Sequence, residues 1–330
     1  MNKKHEKSPC CKENIWRISG RRRQCATCKK TWRVWKRKRG RRRKRTSHDL
    51  AHKFVFHRLL PVRAGFPATA TSRNRRQYRL AQSRRFCAST CVWKQPSSDK
   101  KLIMVADALV KFVENRWQTW YFIFVRSIDS DSAVALPPYH RQGTETITGW
   151  REAFDSVDVG VLSRIQALVC DGHRGLTDGA RERGFKLQRC HFHLIARIQN
   201  QRSRWKSGRN YQEGQHIYTR VKQVLEDPSD ENLAPVLNEL EEMSWTSSSA
   251  ELRRVLGGFV NNFQDYRTYL HYPKLNLPTT NNTAESFIGT VEEVCRRARG
   301  FKNLTVLSEW IMCASKTRGG IKCRGRSIPN

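Results

Sequence analysis

The chain has 330 residues and a formal net charge of +34, from 63 Lys and Arg against 29 Asp and Glu. A charge that repels itself this strongly calls for a polyanionic partner, nucleic acid first, and it argues against an acidic membrane surface because the basic residues do not sit on a strongly apolar amphipathic segment. No run of about 18 apolar residues is present, which excludes a membrane span, and the basic start MNKKHEKSPCCKEN lacks the apolar stretch of a secretory signal. A reducing compartment follows, so the 11 cysteines read as metal ligands or buried thiols rather than disulfides. The expected location is cytoplasmic and nucleoid-associated.

Residues 1–47 read as a zinc-ribbon-like unit with a basic arm. Cys25-Ala-Thr-Cys28 is a CxxC knuckle followed by Lys-Lys-Thr-Trp32, a basic and aromatic strand. The first knuckle is irregular: Ser8-Pro-Cys10-Cys11 puts Ser8 where a C-P-x-C pattern has its first thiol. Serine is a poor zinc ligand, so either Cys10 or His5 takes its place, or the site holds zinc weakly; the competing reading is a degenerate ribbon that folds only on DNA. The candidate zinc ligands are Cys10, Cys11, Cys25 and Cys28. The arm WKRKRGRRRKRT (35–46) has the density of a phosphate-binding segment.

Residues 48–98 read as helical, in pieces at 48–60 and 73–87 separated near Gly65. A helix-turn-helix and a basic helical linker are both open there. Cys87 and Cys91 share one helical face and read as buried thiols.

From 99 the pattern changes. Three consecutive strands are expected at 102–106, 117–125 and 133–136, then a helix at 145–157, a buried strand at 165–170, a helix at 175–183 and a strand at 185–188. That order, βββαβαβ over 99–193, is the layout of a ribonuclease-H-like α/β layer with a mixed sheet. Residues 194–278 turn helical, with pieces at 221–226, 232–243 and 250–269, and read as an insertion. The last part, 279–330, holds a helix at 282–299, with Thr283 as its N-cap, and a closing helix at 304–315.

Three acids stand at positions suited to chemistry. Asp107 follows the apolar run LIMVA, Asp171 follows ALVC with Gly172 behind it, and Glu285 falls in the first turn of the 282–299 helix. Ligands gather at strand ends of α/β sheets, and Mg²⁺ is held by a few carboxylates together with substrate phosphates. Asp155, Asp178 and Glu182 read as surface charges, and Asp129 and Asp131 as turn residues.

The stretches LIMVADALVKF, LVCDGHRGLTDGARERGFKLQRCHFHLIARI and TTNNTAESFIGTVEEVCRRARGFKNL together resemble Mutator-like DDE transposases and their bacterial insertion-sequence relatives, over about residues 100–315. The order and spacing of the three blocks carry the resemblance. It implies a catalytic triad of Asp107, Asp171 and Glu285 holding two Mg²⁺ or Mn²⁺ ions, cleavage of DNA at transposon ends, and transfer of the freed 3′-OH to target DNA. The partners it implies are double-stranded DNA and further copies of the chain in the DNA complex. The 114 positions from Asp171 to Glu285 (285 − 171) accommodate a helical domain inserted before the last catalytic helix. Cys190 and His193 match the family's Cys/His step near the transposon end, and Arg296 and Arg297 its basic helix end. Cys190, His191 and His193 have two readings, a packed hydrogen-bonded pair or a soft-metal site whose further ligand is unidentified. At the first block the family often shows Asp, then Gly or a small residue, then a hydrophobic or aromatic one, and the chain reads Asp107-Ala-Leu. Two other functions compete: an inactive transposase-derived DNA-binding regulator, and a ribonuclease-H-like nuclease acting on RNA–DNA hybrids.

Overall fold

A computed structural model describes residues 10–12, 14–17, 22–33, 93, 95–96, 100–203, 209–297, 301–317 and 321–322. The basic arm, the helices expected at 48–60 and 73–87, Ser8, Cys87 and Cys91 lie outside the described residues. The chain divides into two compact units, 1–48 and 49–330.

In the first unit, strands β1 (Ile15–Arg17), β2 (Arg22–Cys25) and β3 (Thr31–Arg33) form an antiparallel sheet in the order β1-β2-β3. Lys12 and Lys29, each directly after a cysteine knuckle, adopt φ of +59°. The Lys29 ammonium lies 4.0 Å from the Trp16 ring centroid, a cation–π contact.

The second unit is mixed α/β. Its first part contains β4 (Leu102–Val113), β5 (Arg116–Ser127), β6 (Ser132–Ala135), β7 (Tyr139–Gln142), α1 (Ile147–Asp155), α2 (Val159–Leu162), β8 (Ile165–Cys170), α3 (Arg174–Glu182) and β9 (Lys186–Arg189). Five helices follow: α4 (His191–Ser203), α5 (Arg209–Glu226), α6 (Ala234–Thr246), α7 (Ala250–Val260) and α8 (Phe263–His271). The chain returns through α9 (Asn282–Arg297), α10 (Leu304–Thr317) and β10 (Ile321–Lys322). The sheet order is β10-β6-β5-β4-β8-β9, with β7 also on β5. Strands β4, β8 and β9 are parallel to one another, and the remaining pairs are antiparallel.

Side-chain alternation divides the sheet between two cores. Ile103, Val105 and Leu109 of β4, Trp120, Phe122 and Phe124 of β5, and Ala167 and Val169 of β8 pack with Ala284, Phe287 and Val291 of α9 and with Leu307 and Ile311 of α10. The intervening residues, Met104, Ala106, Tyr121, Ile123, Leu168 and Cys170, pack with Trp150, Phe154, Leu176 and Ala180 of α1 and α3. A period of two thus gives every central strand one face toward each helical layer.

Among the elements that depart from expectation are β4 and the helix over 250–269. Strand β4 runs through Asp107 to Val113 instead of ending at 106, because Ala108 to Val113 pair residue for residue with β5. The hairpin closes on Glu114 and Asn115, both at positive φ, the two-residue turn that matches strand twist. Glu114 holds its place by accepting the Leu304 N–H at 3.0 Å, at the start of α10. The helix expected over 250–269 is two helices broken at Asn261-Asn262, where the Asn261 N–H closes α7 on Gly257.

Helices α4 to α8 build a separate core that includes Ile198, Val221, Leu240, Leu256 and Phe259. Arg267 of α8, fully buried, pins it. Its guanidinium donates to Asp230 Oδ1 at 2.7 and 3.2 Å and to the Val224 carbonyl. Asp230 is about half exposed. Asp230→Ala is expected to destabilise the protein by about 3 kcal/mol, because it strands a buried cation, whereas Arg267→Met should cost less, about 1–2 kcal/mol, because a hydrated carboxylate is left instead. Urea unfolding of both variants checks the order, and the reverse order would show that Arg267 packing outweighs its charge.

Candidate active site

The parallel register of β4 and β8 ends at Val105 opposite Val169. Asp107 lies two residues further along β4, and Asp171 directly follows the last residue of β8, at the turn into α3. Asp107 keeps the parity of Val105, which packs with α9. The third acid comes from that helix. Ala284, Phe287, Val291 and Cys295 form its buried stripe, and Glu285 stands next to the stripe in the first turn. The strands and the helix bring the three sequence-identified acids, Asp107, Asp171 and Glu285, into one electrostatic neighbourhood: Asp171 raises the pKa of both others, and Glu285 raises that of Asp107.

Burial and like charge act together here. Asp107 is pushed up to about 8, first by desolvation and then by Asp171, with smaller upward contributions from Glu145 and Glu285. Donation from the Ala108 N–H to Oδ1 at 2.8 Å partly opposes this. The Asn281 side-chain amide donates to Asp107 Oδ2 at 3.2 Å. Glu285 is also raised, first by desolvation, while His193 lowers it and Asp171 raises it. Asp171 Oδ1 accepts the His173 N–H at 2.9 Å, which fixes the carboxylate at the turn into α3.

Sequence reasoning missed Glu145, a fourth acid in the group. The sequence pattern reads it as the start of a helix. It instead lies just before the Thr146 cap of α1, accepts the Trp150 indole N–H at 2.7 Å and lies 3.6 Å from His173 Nδ1. Its pKa is raised, first by desolvation, with Asp171 also raising it. No motif marks this residue; its role depends on where α1 meets the end of β8.

The helical segment leaves and rejoins the sheet beside this site. The Cys190 N–H donates to the Cys170 carbonyl at 2.7 Å, the His191 N–H to the Thr279 carbonyl at 2.8 Å, and the Asn281 N–H to Cys190 Sγ at 3.3 Å. These bonds lock residues 279–281, and with them the start of α9, to the end of β9. Helix α9 begins at Asn282, so Thr283 lies inside its first turn rather than capping it. His191 turns away into the interior, where Nε2 meets the Tyr266 carbonyl at 2.7 Å and burial lowers its pKa to about 4. Cys190 Sγ, His193 and Glu285 meet, with their ligand atoms all within 4.8 Å of one another. Burial pushes the Cys190 thiol up to about 12. The exposed Arg296 side chain is ion-paired with Glu293, and Arg297 is the last residue of α9. Asp155, Asp178 and Glu182 pair with Arg183, Arg174 and Arg151, as surface charges do.

Gly172 makes the tight turn after Asp171, at φ +95°. A Cβ there would meet the Arg189 guanidinium at 2.3 Å, and that guanidinium lies 4.9 Å from the Tyr266 ring centroid. Gly172→Ala therefore combines a strained φ with a displaced Arg189. The expected loss is about 1–3 kcal/mol of stability, read from the urea midpoint. An unchanged midpoint would mean the turn relaxes freely.

In the first unit, Cys10, Cys11, Cys25 and Cys28 form a second cluster with sulfurs all within 4.8 Å, and Cys10 and Cys28 are 3.4 Å apart. Cys10 thus joins the cluster from the irregular knuckle. The Cys11 thiol is pushed up to about 12, first by hydrogen bonding to Cys28.

The description matching this sequence is that of a transposase, and it spans residues 103–308, from β4 into α10. With well over half of its residues matched, the chain belongs to the Mutator family of transposases. No curated protein sequence matches it. Among solved structures, the Drosophila P element transposase strand transfer complex is similar at 9% identity and a TM-score of 0.41, over 84% of this chain and 93% of that one. Among the described residues, no helix is long and apolar enough to cross a membrane.

Proposed function

We propose that the protein is a DDE transposase that binds transposon ends, cleaves DNA there and joins the 3′-OH to target DNA, with Asp107, Asp171 and Glu285 as the catalytic carboxylates on a ribonuclease-H-like core. The observation that carries this reading is that Asp107 within β4, Asp171 directly after the adjacent parallel strand β8 and Glu285 in the first turn of α9 fall close enough for Asp171 to raise the pKa of both others. A donor set of clustered carboxylate oxygens suits Mg²⁺ or Mn²⁺, and mutual repulsion among these acids is what a divalent cation relieves. Such ions, when bound, stabilise charge on the attacking and leaving oxygens of an in-line phosphoryl transfer.

The chain's own residues supply the frame. Asn281 and the Ala108 N–H orient Asp107, and the His173 N–H orients Asp171. Strand β4 carries Asp107, the turn after β8 carries Asp171, and the 279–281 segment fixes the approach of α9. Double-stranded DNA is the partner, favoured by a net charge of +34, and the active species in the DNA complex is an oligomer. Cys10, Cys11, Cys25 and Cys28 hold Zn²⁺; four thiols at this spacing suit tetrahedral coordination.

The test is a strand-cleavage and joining assay with Mg²⁺ or Mn²⁺ on duplexes bearing the ends that flank the gene. Joined product from the wild type and none from Asp171→Ala supports the enzyme. End binding with no cleavage by either favours a DNA-binding regulator, and cleavage confined to RNA–DNA hybrids favours a nuclease.

A further inference from the structure

We propose that Cys190, His193 and Glu285 form a binding site for Zn²⁺, and that occupation of this site withdraws Glu285 from the carboxylate cluster. The second half rests on the catalytic reading of Glu285; the first does not.

The donor set is the primary argument. A thiolate, an imidazole and a carboxylate are the ligands of a borderline cation, whereas Mg²⁺ takes oxygen almost alone. Spacing agrees with this chemistry. Zinc bonds of about 2.0–2.3 Å at tetrahedral angles separate ligand atoms by roughly 3.4–3.6 Å. His193 Nδ1 and Glu285 Oε1 are 3.4 Å apart. The sulfur lies within 4.8 Å of both, so closing the site needs a movement of at most about 1 Å from this spacing.

The two facing atoms supply a second argument. His193 Nδ1 and Glu285 Oε1 are both buried, and neither makes a hydrogen bond among the described residues, although their separation is that of an ion pair. Buried polar atoms left this way call for a specific cause, and a shared cation is one. The third ligand is already oriented: the Asn281 N–H donates to Cys190 Sγ at 3.3 Å, the kind of outer hydrogen bond that positions metal ligands. Cys190 and His193 flank the start of α4, and Glu285 lies in the first turn of α9. Three protein ligands leave a fourth position for water or a DNA oxygen.

The experiment uses the full chain, stripped of metal and reloaded. Zinc content after gel filtration is expected to be one ion higher for the wild type than for Cys190→Ser or His193→Ala, while Cys170→Ser, outside the cluster, matches the wild type. With Co²⁺ as probe, the wild-type minus Cys190→Ser spectrum should contain a thiolate-to-cobalt charge-transfer band, the N-terminal cysteines being common to both proteins. His193→Ala changes a partly exposed side chain and keeps the test open should Cys190→Ser not fold. Equal zinc content in wild type and His193→Ala overturns the site. Asp171→Ala is expected to retain the ion, so the binding result stands whether or not the protein proves catalytic. Stoichiometric Zn²⁺ should lower the Mg²⁺-supported joining rate of the wild type at least tenfold; zinc binding with no fall in that rate overturns the withdrawal of Glu285.

Discussion

Asp171→Ala is expected to lose strand joining by about 10³-fold or more, the cost of removing on the order of 4 kcal/mol of charge stabilisation from a phosphoryl-transfer transition state. Asp171 is the central acid. It raises the pKa of Asp107, Glu145 and Glu285, so it is electrostatically near all three. Asp107→Asn and Glu285→Gln should fall by similar factors, since each removes one negative charge while keeping size. The double variant should be hardly slower than either single, because groups acting as a unit are non-additive. Glu145→Gln should lose less, about tenfold. Its carboxylate is committed to the Trp150 indole, and it lies before a helix cap rather than on the paired strands. DNA binding, dominated by the basic surface, should change little in all of them. Joining rates under single-turnover conditions, beside filter binding to the same duplex, separate these effects. Equal losses of binding and joining would place the acids in folding rather than in chemistry.

Much of this candidate site is legible in the sequence, and the reason is local. Asp171 and Glu285 sit at element ends that hydrophobic runs and helix periodicity mark directly. The apolar run before Asp107 marks it as a strand end, whereas it lies within a twelve-residue strand. Aspartate is depleted in strands, so a local pattern reads it as a stop; the pairing of β5 across 108–113 is a non-local fact that overrides it. The short strand β7 escaped notice for a similar reason. Tyr139–Gln142 alternates without an apolar run, and it exists because β5 offers it an edge. Glu145 and the Cys190–His193–Glu285 cluster depend on contacts across 26 and 92 or more positions, Glu145 to Asp171 (171 − 145) and His193 to Glu285 (285 − 193), and spacing along the chain does not encode those.

Asp107 makes a second prediction, on stability. Its pKa rises from 3.8 to about 8 on folding, chiefly through burial and Asp171. Below about pH 4 the group is protonated in both states and contributes nothing. Between about pH 4 and 8 the unfolded chain releases the proton while the folded chain keeps it, so the unfolded state binds fewer protons and stability falls as pH rises. Above about pH 8 the full penalty is present, of order several kcal/mol before relaxation. In chelator, Asp107→Asn should therefore match the wild type near pH 4 and exceed it by about 2–4 kcal/mol near pH 9. The asparagine can be accommodated. Its Oδ1 replaces the acceptor of the Ala108 N–H, and a flip of Asn281 presents an Oδ1 that makes no other hydrogen bond among the described residues. Saturating Mg²⁺ should reverse the order, because a cation stabilises only the chain that keeps the charge. Urea unfolding of both proteins across this pH range, with chelator and with Mg²⁺, measures the difference. A constant offset at every pH would mean that Asp107 is already ionised in the folded protein, and that something other than a bound cation balances the acids around it.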